Sequence, residues 1–166
     1  MYVDFMNGRL QNAFTCTGAY ALLIMTGIKR VENRAAVPFP AVGRCAVSVS
    51  KKFCEREYWN LVAWVKSNLG AEGVAALPPW EIACKWPGRI IGTIDYAVKS
   101  AAECSQEELL KRQFWNEGYG CWWYLANPQL LSKPIPCRGN VGMWRLPEEL
   151  SERLIAISPE KPLNVT

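Results

Sequence analysis

The sequence of 166 residues contains no histidine. This absence excludes Ser-His-Asp hydrolysis, Cys-His proteolysis and zinc chemistry at histidine ligands. Any acid–base step would therefore depend on lysine, aspartate, glutamate, tyrosine or cysteine side chains.

Long apolar runs and paired cysteine motifs are missing as well. The longest apolar run covers only residues 19–25, far fewer than a membrane span needs. The first residues lack the basic and apolar regions of a signal peptide. The seven cysteines include no Cys-x-x-Cys pair and lie among apolar neighbours. We therefore expect buried free thiols and a location in the reducing cytoplasm, with the nucleus as the alternative. We expect no membrane association and neither a metal nor another cofactor.

The charge is mildly basic, with a net charge of +4 and a pI near 8.7. No dense run of lysine or arginine is present, so this balance permits a polyanionic partner without requiring one. Half of the residues are apolar and eight are tryptophans. A chain of this length and composition should bury a sizeable core, and we expect one domain over residues 1–166.

The most informative segment is 26–34, which reads Thr-Gly-Ile-Lys-Arg-Val-Glu-Asn-Arg. Its four charged side chains are Lys29, Arg30, Glu32 and Arg34. After a helix stop at Gly27, strand alternation places Arg30, Glu32 and Arg34 on one face and Val31 on the other. Two interpretations stay open: a solvated, salt-bridged strand, and a polar site for an anionic or hydrogen-bonding ligand.

The helix signals are capping residues and apolar periodicity. Thr17 is expected to cap a helix over residues 19–26. Ser50 is expected to cap a long helix that ends at Gly70, followed by a loop over residues 71–88. Further helices are predicted at 105–115, where Ser-Gln-Glu-Glu forms a capping box, and at 148–154.

The strand signals are alternation and β-branched residues. Residues 1–14 are expected to form an irregular or short extended lead-in, and residues 128–136 a proline-rich connection. Strands are predicted around Val31 and Glu32 and at 43–49, 89–98, 120–125 and 141–146. Because short strands and helices mix without a repeated βαβ unit, the sequence predicts an α+β fold, a small mixed barrel flanked by several helices.

Several short motifs occur in a fixed order along most of the chain. They are Gly-Ile-Lys-Arg-Val-Glu-Asn-Arg at 27–34, the strand from Gly43-Arg44 to Lys51-Lys52, Pro-Gly-Arg-Ile-Ile-Gly-Thr-Ile-Asp at 87–95, Trp-Tyr-Leu-Ala-Asn-Pro at 123–128, Pro-Ile-Pro-Cys-Arg-Gly at 134–139 and Gly-Met-Trp at 142–144. This combination resembles the ASCH domain of the PUA-like superfamily of small β-barrels. The resemblance covers about residues 14–146, leaving a C-terminal helix and tail over 147–166. One departure is the helix entry, where Thr17-Gly18-Ala19-Tyr20 stands in place of the family's Gln-Pro-Trp or Gln-Pro-Tyr.

The resemblance implies several functions. PUA-like barrels commonly bind RNA or modified bases in a cleft beside the sheet, and ASCH domains are proposed to act in RNA metabolism or as coactivator modules. Some small ASCH proteins look like amidohydrolases that deacetylate N4-acetylcytidine with a lysine, a threonine and a glutamate. The family lysine falls on Lys29, but the threonine position is Glu32, which has no hydroxyl; the third member has no matching motif.

This mismatch favours binding over hydrolysis. Glu32 would accept a hydrogen bond from an exocyclic amine, while Lys29 and Arg34 would hold phosphate or carbonyl groups. An RNA- or nucleotide-binding protein is therefore the main prediction. A metal-independent hydrolase, an amidohydrolase or ribonuclease with Lys29 and Glu32 as catalytic residues, is the first alternative. A coactivator-type module that binds a protein partner is the second.

Four further residues complete the predicted ligand site. Lys51 lies where a strand meets a helix, a position that attracts anions. Asp95 is expected either to pair with Lys29 or Arg34 or to lie at a sheet edge. Tyr119 or Trp122 is expected to supply a base-stacking wall, against the alternative that these aromatic residues are core.

Overall fold

A six-stranded mixed sheet forms the centre of the fold. The computed structural model describes residues 10–34, 37–38, 40–99 and 121–157. The strands are β1 (Asn12–Cys16), β2 (Val31–Arg34), β3 (Val42–Val49), β4 (Arg89–Lys99), β5 (Cys121–Pro136) and β6 (Met143–Arg145). The helices are α1 (Gly18–Met25), α2 (Glu55–Ala76), α3 (Trp80–Ala83) and α4 (Glu148–Ile157).

The strand order across the sheet is β2-β5-β4-β3-β1-β6. β1 runs parallel to β3, and the other four pairings are antiparallel. The sheet curves into a half-barrel, with β2 and β6 as its two edge strands. The predicted α+β fold with a mixed sheet and flanking helices is confirmed.

Both faces of the sheet are covered by apolar side chains. In β3, Cys45, Val47 and Val49 belong to the larger core cluster with α1, whereas Ala46 belongs to a smaller cluster with α4 on the other face. The alternation seen in the sequence is therefore a division between two cores. It is not a division between core and solvent.

Register shifts bend the central strands. Shifts occur in the β3–β4 pairing and twice in the β4–β5 pairing. Near one of them, a Cβ added to Gly92 would lie 2.4 Å from the carbonyl oxygen of Gln129 and 2.4 Å from the Met25 methyl. Only glycine permits this close approach of β5 and α1 to β4.

The start of β1 at Asn12 agrees with the short extended alternative for the lead-in over residues 1–14. Three other sequence predictions need correction: the connection over 128–136, the start of α2 and the loop over 71–88. The expected connection over 128–136 is the second half of β5. Prolines are tolerated there because β2 pairs only with residues 121–124, which leaves one side of the later half without a neighbouring strand among the described residues.

The start of α2 was also predicted wrongly. The helix begins after Cys54, whose backbone N–H donates to Glu57 Oε2 at 3.0 Å, and not after Ser50. The backbone N–H of Ser50 instead donates to Cys16 O at 2.9 Å, which prolongs the sheet. Gly70 interrupts the helix at φ 71°, as its stop signal predicted, but helical residues continue to Ala76 and α3 lies in the expected loop.

The other helix predictions have clear outcomes. Thr17 caps α1 through a hydrogen bond from the Tyr20 backbone N–H, and the C-terminal helix is present as α4. The predicted helix at 105–115 and the residue Tyr119 lie outside the described residues.

Candidate functional site

Three charged side chains from the segment 26–34 meet inside the half-barrel. Lys29 Nζ lies 3.3 Å from Glu32 Oε2, and Arg34 Nε lies 3.0 Å from Glu32 Oε1. Lys29 is 3% exposed and Glu32 is 4% exposed, whereas the Arg34 side chain is 23% exposed. We name these three residues the charged cluster. A carboxylate buried to this degree needs its two cationic neighbours to offset the cost of desolvation.

The chain turn before β2 brings Lys29 to the cluster. Gly27 adopts a left-handed conformation at φ 74°, and the backbone N–H of Lys29 donates to Leu23 O at 2.8 Å. The ammonium group then donates to Val31 O at 2.6 Å and lies 5.0 Å from the centre of the Tyr20 ring. The lysine is therefore fixed by the backbone of its own turn as well as by Glu32.

The register of β2 explains why the charged face points inward. Glu32 pairs with Trp123 of β5, and facing residues of paired strands project to the same side of the sheet. Trp123 packs against Phe14 in the core, and the Arg34 guanidinium lies within 6 Å of both rings. The interpretation of a solvated strand is therefore wrong for Glu32 and Arg34. Arg30 is exposed and donates to Gly27 O outside the cluster.

Hydrogen bonding within the cluster is incomplete. Glu32 Oε2 and Arg34 Nε have no hydrogen-bond partner among the described residues, although both lie at ion-pair distance from an opposite charge. The distances permit attraction, but the angles fail the direction that a hydrogen bond requires. One acceptor and one donor thus remain for a ligand, while a second donor of Arg34, Nη2, is already held by Thr15 O at 2.9 Å.

A cleft of about 670 Å³ opens directly beside the cluster. Glu32 and Arg34 form part of its wall, and the remaining wall comes from the β1–α1 junction, the end of β3 and the loop 137–142. Volumes of this size are typical of pockets for small molecules and nucleotides. Glu32 and Arg34 therefore lie in the wall of a cleft of nucleotide size.

The loop 137–142 packs tightly on the cleft wall. A Cβ added to Gly139 would lie 2.6 Å from Thr15 Oγ1 and 2.9 Å from Ser48 Oγ. Cys137 Sγ lies 3.5 Å from Ser48 Oγ, and Trp144 Nε1 donates to Thr15 Oγ1 at 3.0 Å. This loop was not predicted as part of the site. Its two glycines are the signal that could have identified it, since Gly139 stands at a close approach and Gly142 at a φ of 74°.

Cations and an aromatic ring lie at the mouth of the cleft. Lys51 and Arg138 are exposed and line the cleft, as does Tyr20, which is 38% exposed. Lys51 thus lines the cleft, but the predicted reason is wrong, because α2 begins after Cys54 and leaves Lys51 away from a helix N-terminus. Tyr20 and Arg138 were not predicted.

Cys16 lines the same cleft but is a poor nucleophile. Burial, and to a lesser extent the neighbouring Glu32 carboxylate, raise the pKa of its thiol to about 12, against the lowering effect of Arg34 and Lys29. The thiol donates to Ser48 O at 3.8 Å. It therefore stays protonated at neutral pH.

Asp95 does not support the charged cluster. Its carboxylate lies 2.6 Å from Arg44 Nη1 and accepts a second hydrogen bond from Asn127 Nδ2 at 2.8 Å. Arg44 and Asp95 are direct partners in the β3–β4 register. The predicted pairing with Lys29 or Arg34 is therefore wrong, because Asp95 lies on a different part of the sheet and lines a different cavity.

Trp122 is not a wall of the cleft. It pairs with Asn33, one position away from the Glu32–Trp123 pair, so its side chain projects to the opposite side of the sheet. Trp122 is 6% exposed. The prediction of a stacking wall at Trp122 is wrong, and Tyr119 lies outside the described residues.

Within the described ranges, no group of three or more histidine, cysteine, aspartate or glutamate side chains has the geometry to hold a metal ion. Among the same residues, no helix is both long and apolar enough to cross a membrane.

Comparison with known proteins gives matches in structure alone. No family model matches the chain, and no curated protein matches it. The structure of an ASCH protein from Zymomonas mobilis is 15% identical, has a TM-score of 0.49, and covers 90% of this chain and 96% of that chain. Two point variants of the Zymomonas mobilis protein are each 14% identical with a TM-score of 0.48; the matches cover 88% and 87% of this chain and 96% and 94% of theirs. ASCH is also the family whose motifs the sequence resembles.

Proposed function

We propose that the cleft binds RNA or a nucleotide, with the base against Glu32 and the phosphate near the cations at the mouth. The observation that supports this most directly is the buried Glu32 carboxylate, whose Oε2 accepts no hydrogen bond from the described residues. A carboxylate oxygen in this setting suits an N–H donor such as the exocyclic amine of a base.

The rest of the wall suits the same ligand. Lys51 and Arg138 at the mouth provide positive charge for a phosphate, and Tyr20 provides an aromatic face for a base. The Arg34 side chain, which is partly exposed, presents positive charge between the base site and the mouth. The resemblance of the motifs to ASCH domains agrees with this proposal.

Hydrolysis has weaker support from the side chains of the cleft. The Cys16 thiol stays protonated, and the Thr15 hydroxyl already accepts a hydrogen bond from Trp144. Activation of water by Lys29 and Glu32 is the remaining route to a hydrolase. Release of acetate from N4-acetylcytidine by the purified protein, abolished in Lys29→Ala, would replace binding by catalysis as the function.

A matched pair of lysines tests the binding proposal. Lys51 lines the cleft, whereas its neighbour Lys52 is exposed and does not. Fluorescence anisotropy with a short labelled single-stranded RNA should show that Lys51→Glu weakens binding about tenfold, since charge reversal replaces a phosphate contact by repulsion. Lys52→Glu, with the same change in net charge, should weaken it much less.

The salt dependence provides the second readout. The affinity of the unmodified protein should fall with ionic strength, with a slope of about −0.7 per neutralised phosphate, and Lys51→Glu should reduce that slope. Equal effects of the two lysine variants would place the RNA elsewhere on the surface. Absence of oligonucleotide binding at low salt would refute the proposal and favour the protein-interaction alternative.

A further inference from the structure

A second cavity adjoins the cleft on the far side of Arg34. It has a volume of about 510 Å³ and lies between the edge strands β2 and β6, where the half-barrel is open. Its lining includes the exposed apolar side chains of Val37 and Val141 and the half-buried Met143, with the buried Trp123 and Trp144 behind them. The composition of this wall is that of a site for an apolar group such as the flat body of a nucleobase.

The two cavities share one wall. Arg34, Val141 and Gly142 line both of them. The Trp144 ring lines the second cavity while its N–H donates to Thr15 Oγ1, which lines the first. The two spaces are therefore neighbours, separated mainly by the Arg34 side chain and the loop 137–142.

The cations are distributed along the two cavities. Lys51 and Arg138 line only the first cavity, Arg34 lines both, and the exposed Arg145 lines only the second. Cations thus line both cavities and the wall between them. This order of positive side chains and cavities suits a strand of alternating phosphates and bases.

One buried donor at this boundary, the indole N–H of Trp123, has no acceptor among the described residues; Trp123 is 2% exposed and lines the second cavity. A second, Arg34 Nε, lies 3.0 Å from Glu32 Oε1 but makes no well-directed hydrogen bond with it. Buried donors without partners are uncommon in proteins and costly. A ligand with acceptor oxygens or ring nitrogens at this point would remove that cost.

We infer that the ligand of this site is a strand of at least two nucleotides, with one base in the cleft, the next base in the second cavity and the bridging phosphate beside Arg34. This inference rests on the proposed function and specifies it, because it selects an oligonucleotide over a free nucleotide. The wall of the second cavity supplies apolar contact, and Arg34 supplies the charge that a phosphodiester needs.

Competition against labelled single-stranded RNA tests the inference with three unlabelled competitors. They are mononucleotides, dinucleotides, and nucleoside bisphosphates that carry the bridging phosphate without the second nucleoside. The dinucleotide should bind at least about tenfold more tightly than the bisphosphate, because the second base buries apolar surface in the second cavity. Since the bisphosphate carries the bridging phosphate, this comparison isolates the base from the charge.

A charge reversal at the second cavity provides the matched control. Arg145→Glu should weaken the dinucleotide several-fold and leave the mononucleotide unchanged, since Arg145 lines only the second cavity. Arg153→Glu makes the same change at an exposed position on α4 that lines neither cavity, and it should affect neither competitor.

The outcomes separate this inference from the proposed function. Equal affinities of the dinucleotide and the bisphosphate overturn the inference and leave nucleotide binding in the cleft intact. Equal effects of Arg145→Glu and Arg153→Glu on the dinucleotide also overturn it, because the second base then lies elsewhere. If neither the labelled RNA nor any of the three competitors binds, the proposed function fails and the inference fails with it.

Discussion

Replacement of Glu32 by glutamine tests whether the charged cluster is a buried electrostatic unit. Glutamine keeps the size and shape of the side chain but removes the negative charge between Lys29 and Arg34. Both cations would then share their site without a counter-charge. Lys29 would keep its bond to Val31 O, and Arg34 would keep its bond to Thr15 O.

The expected loss of stability follows from the burial of the partners. Loss of one partner of a buried ion pair costs about 3–5 kcal/mol. The lower end applies here, because Lys29 is 3% exposed but the Arg34 side chain is 23% exposed and partly hydrated. We therefore expect Glu32→Gln to lower the free energy of unfolding by about 3 kcal/mol. For a chain of this length, the corresponding drop in Tm is roughly 6–12 °C.

Urea and thermal unfolding monitored by tryptophan fluorescence provide the assay. Glu72→Gln is the matched control, since Glu72 is exposed on α2 and should change stability by less than about 0.5 kcal/mol. The double variant Lys29→Met with Glu32→Gln should lose less stability than the sum of the losses in the two single variants. The reason is that Lys29→Met removes the positive charge that Glu32→Gln leaves without a counter-charge. If Glu32→Gln is as mild as Glu72→Gln, the burial of the cluster is wrong.

Three further predictions concern the cleft wall and the core. Gly139→Ala forces a Cβ toward Thr15 Oγ1 and should cost about 1–3 kcal/mol in urea unfolding; an unchanged midpoint would contradict the close approach. Burial raises the pKa of Tyr96 to about 12 from 10.0, so its contribution to stability is complete below pH 10 and lost as pH rises to 12. Urea unfolding at several pH values should therefore show a shallower alkaline loss in Tyr96→Phe, whereas identical slopes would refute the shift. Burial also keeps the Cys16 thiol protonated and therefore unreactive. Mass spectrometry after iodoacetamide treatment at mildly alkaline pH should find the exposed Cys84 modified and Cys16 intact. Rapid labelling of Cys16 would show that its site opens.

The sequence was sufficient for the fold class and for the grouping of the charged residues. Helix caps and alternation depend on local chemistry, which is why α1, β3 and β4 were predicted within a few residues. Strand alternation likewise predicted that Glu32 and Arg34 share a face, whereas Lys29 reaches them through the turn at Gly27. Their burial was not predictable, because it depends on the Phe14 and Trp123 rings that pack on the same face.

Contacts between distant segments explain the errors at the site. Asp95 was assigned to the cluster because its partner Arg44 lies 51 residues away in sequence and is identified only by the β3–β4 register. The start of α2 was placed at Ser50 because its bond to Cys16 O is invisible in the sequence. The loop 137–142 was missed for the same reason: its contacts are with β1 and β3.

The most direct test of the account is to observe the cleft while RNA binds. Trp144 donates its indole N–H to Thr15 at the boundary of the two cavities, whereas Trp59 is exposed on α2 and donates to Glu55. In heteronuclear NMR spectra recorded during titration with short single-stranded RNA, the indole resonance of Trp144 should shift and saturate at the Kd measured by anisotropy, while that of Trp59 stays in place. An RNA that binds while the Trp144 resonance remains unchanged would contradict the central claim that the cleft beside the charged cluster is the binding site.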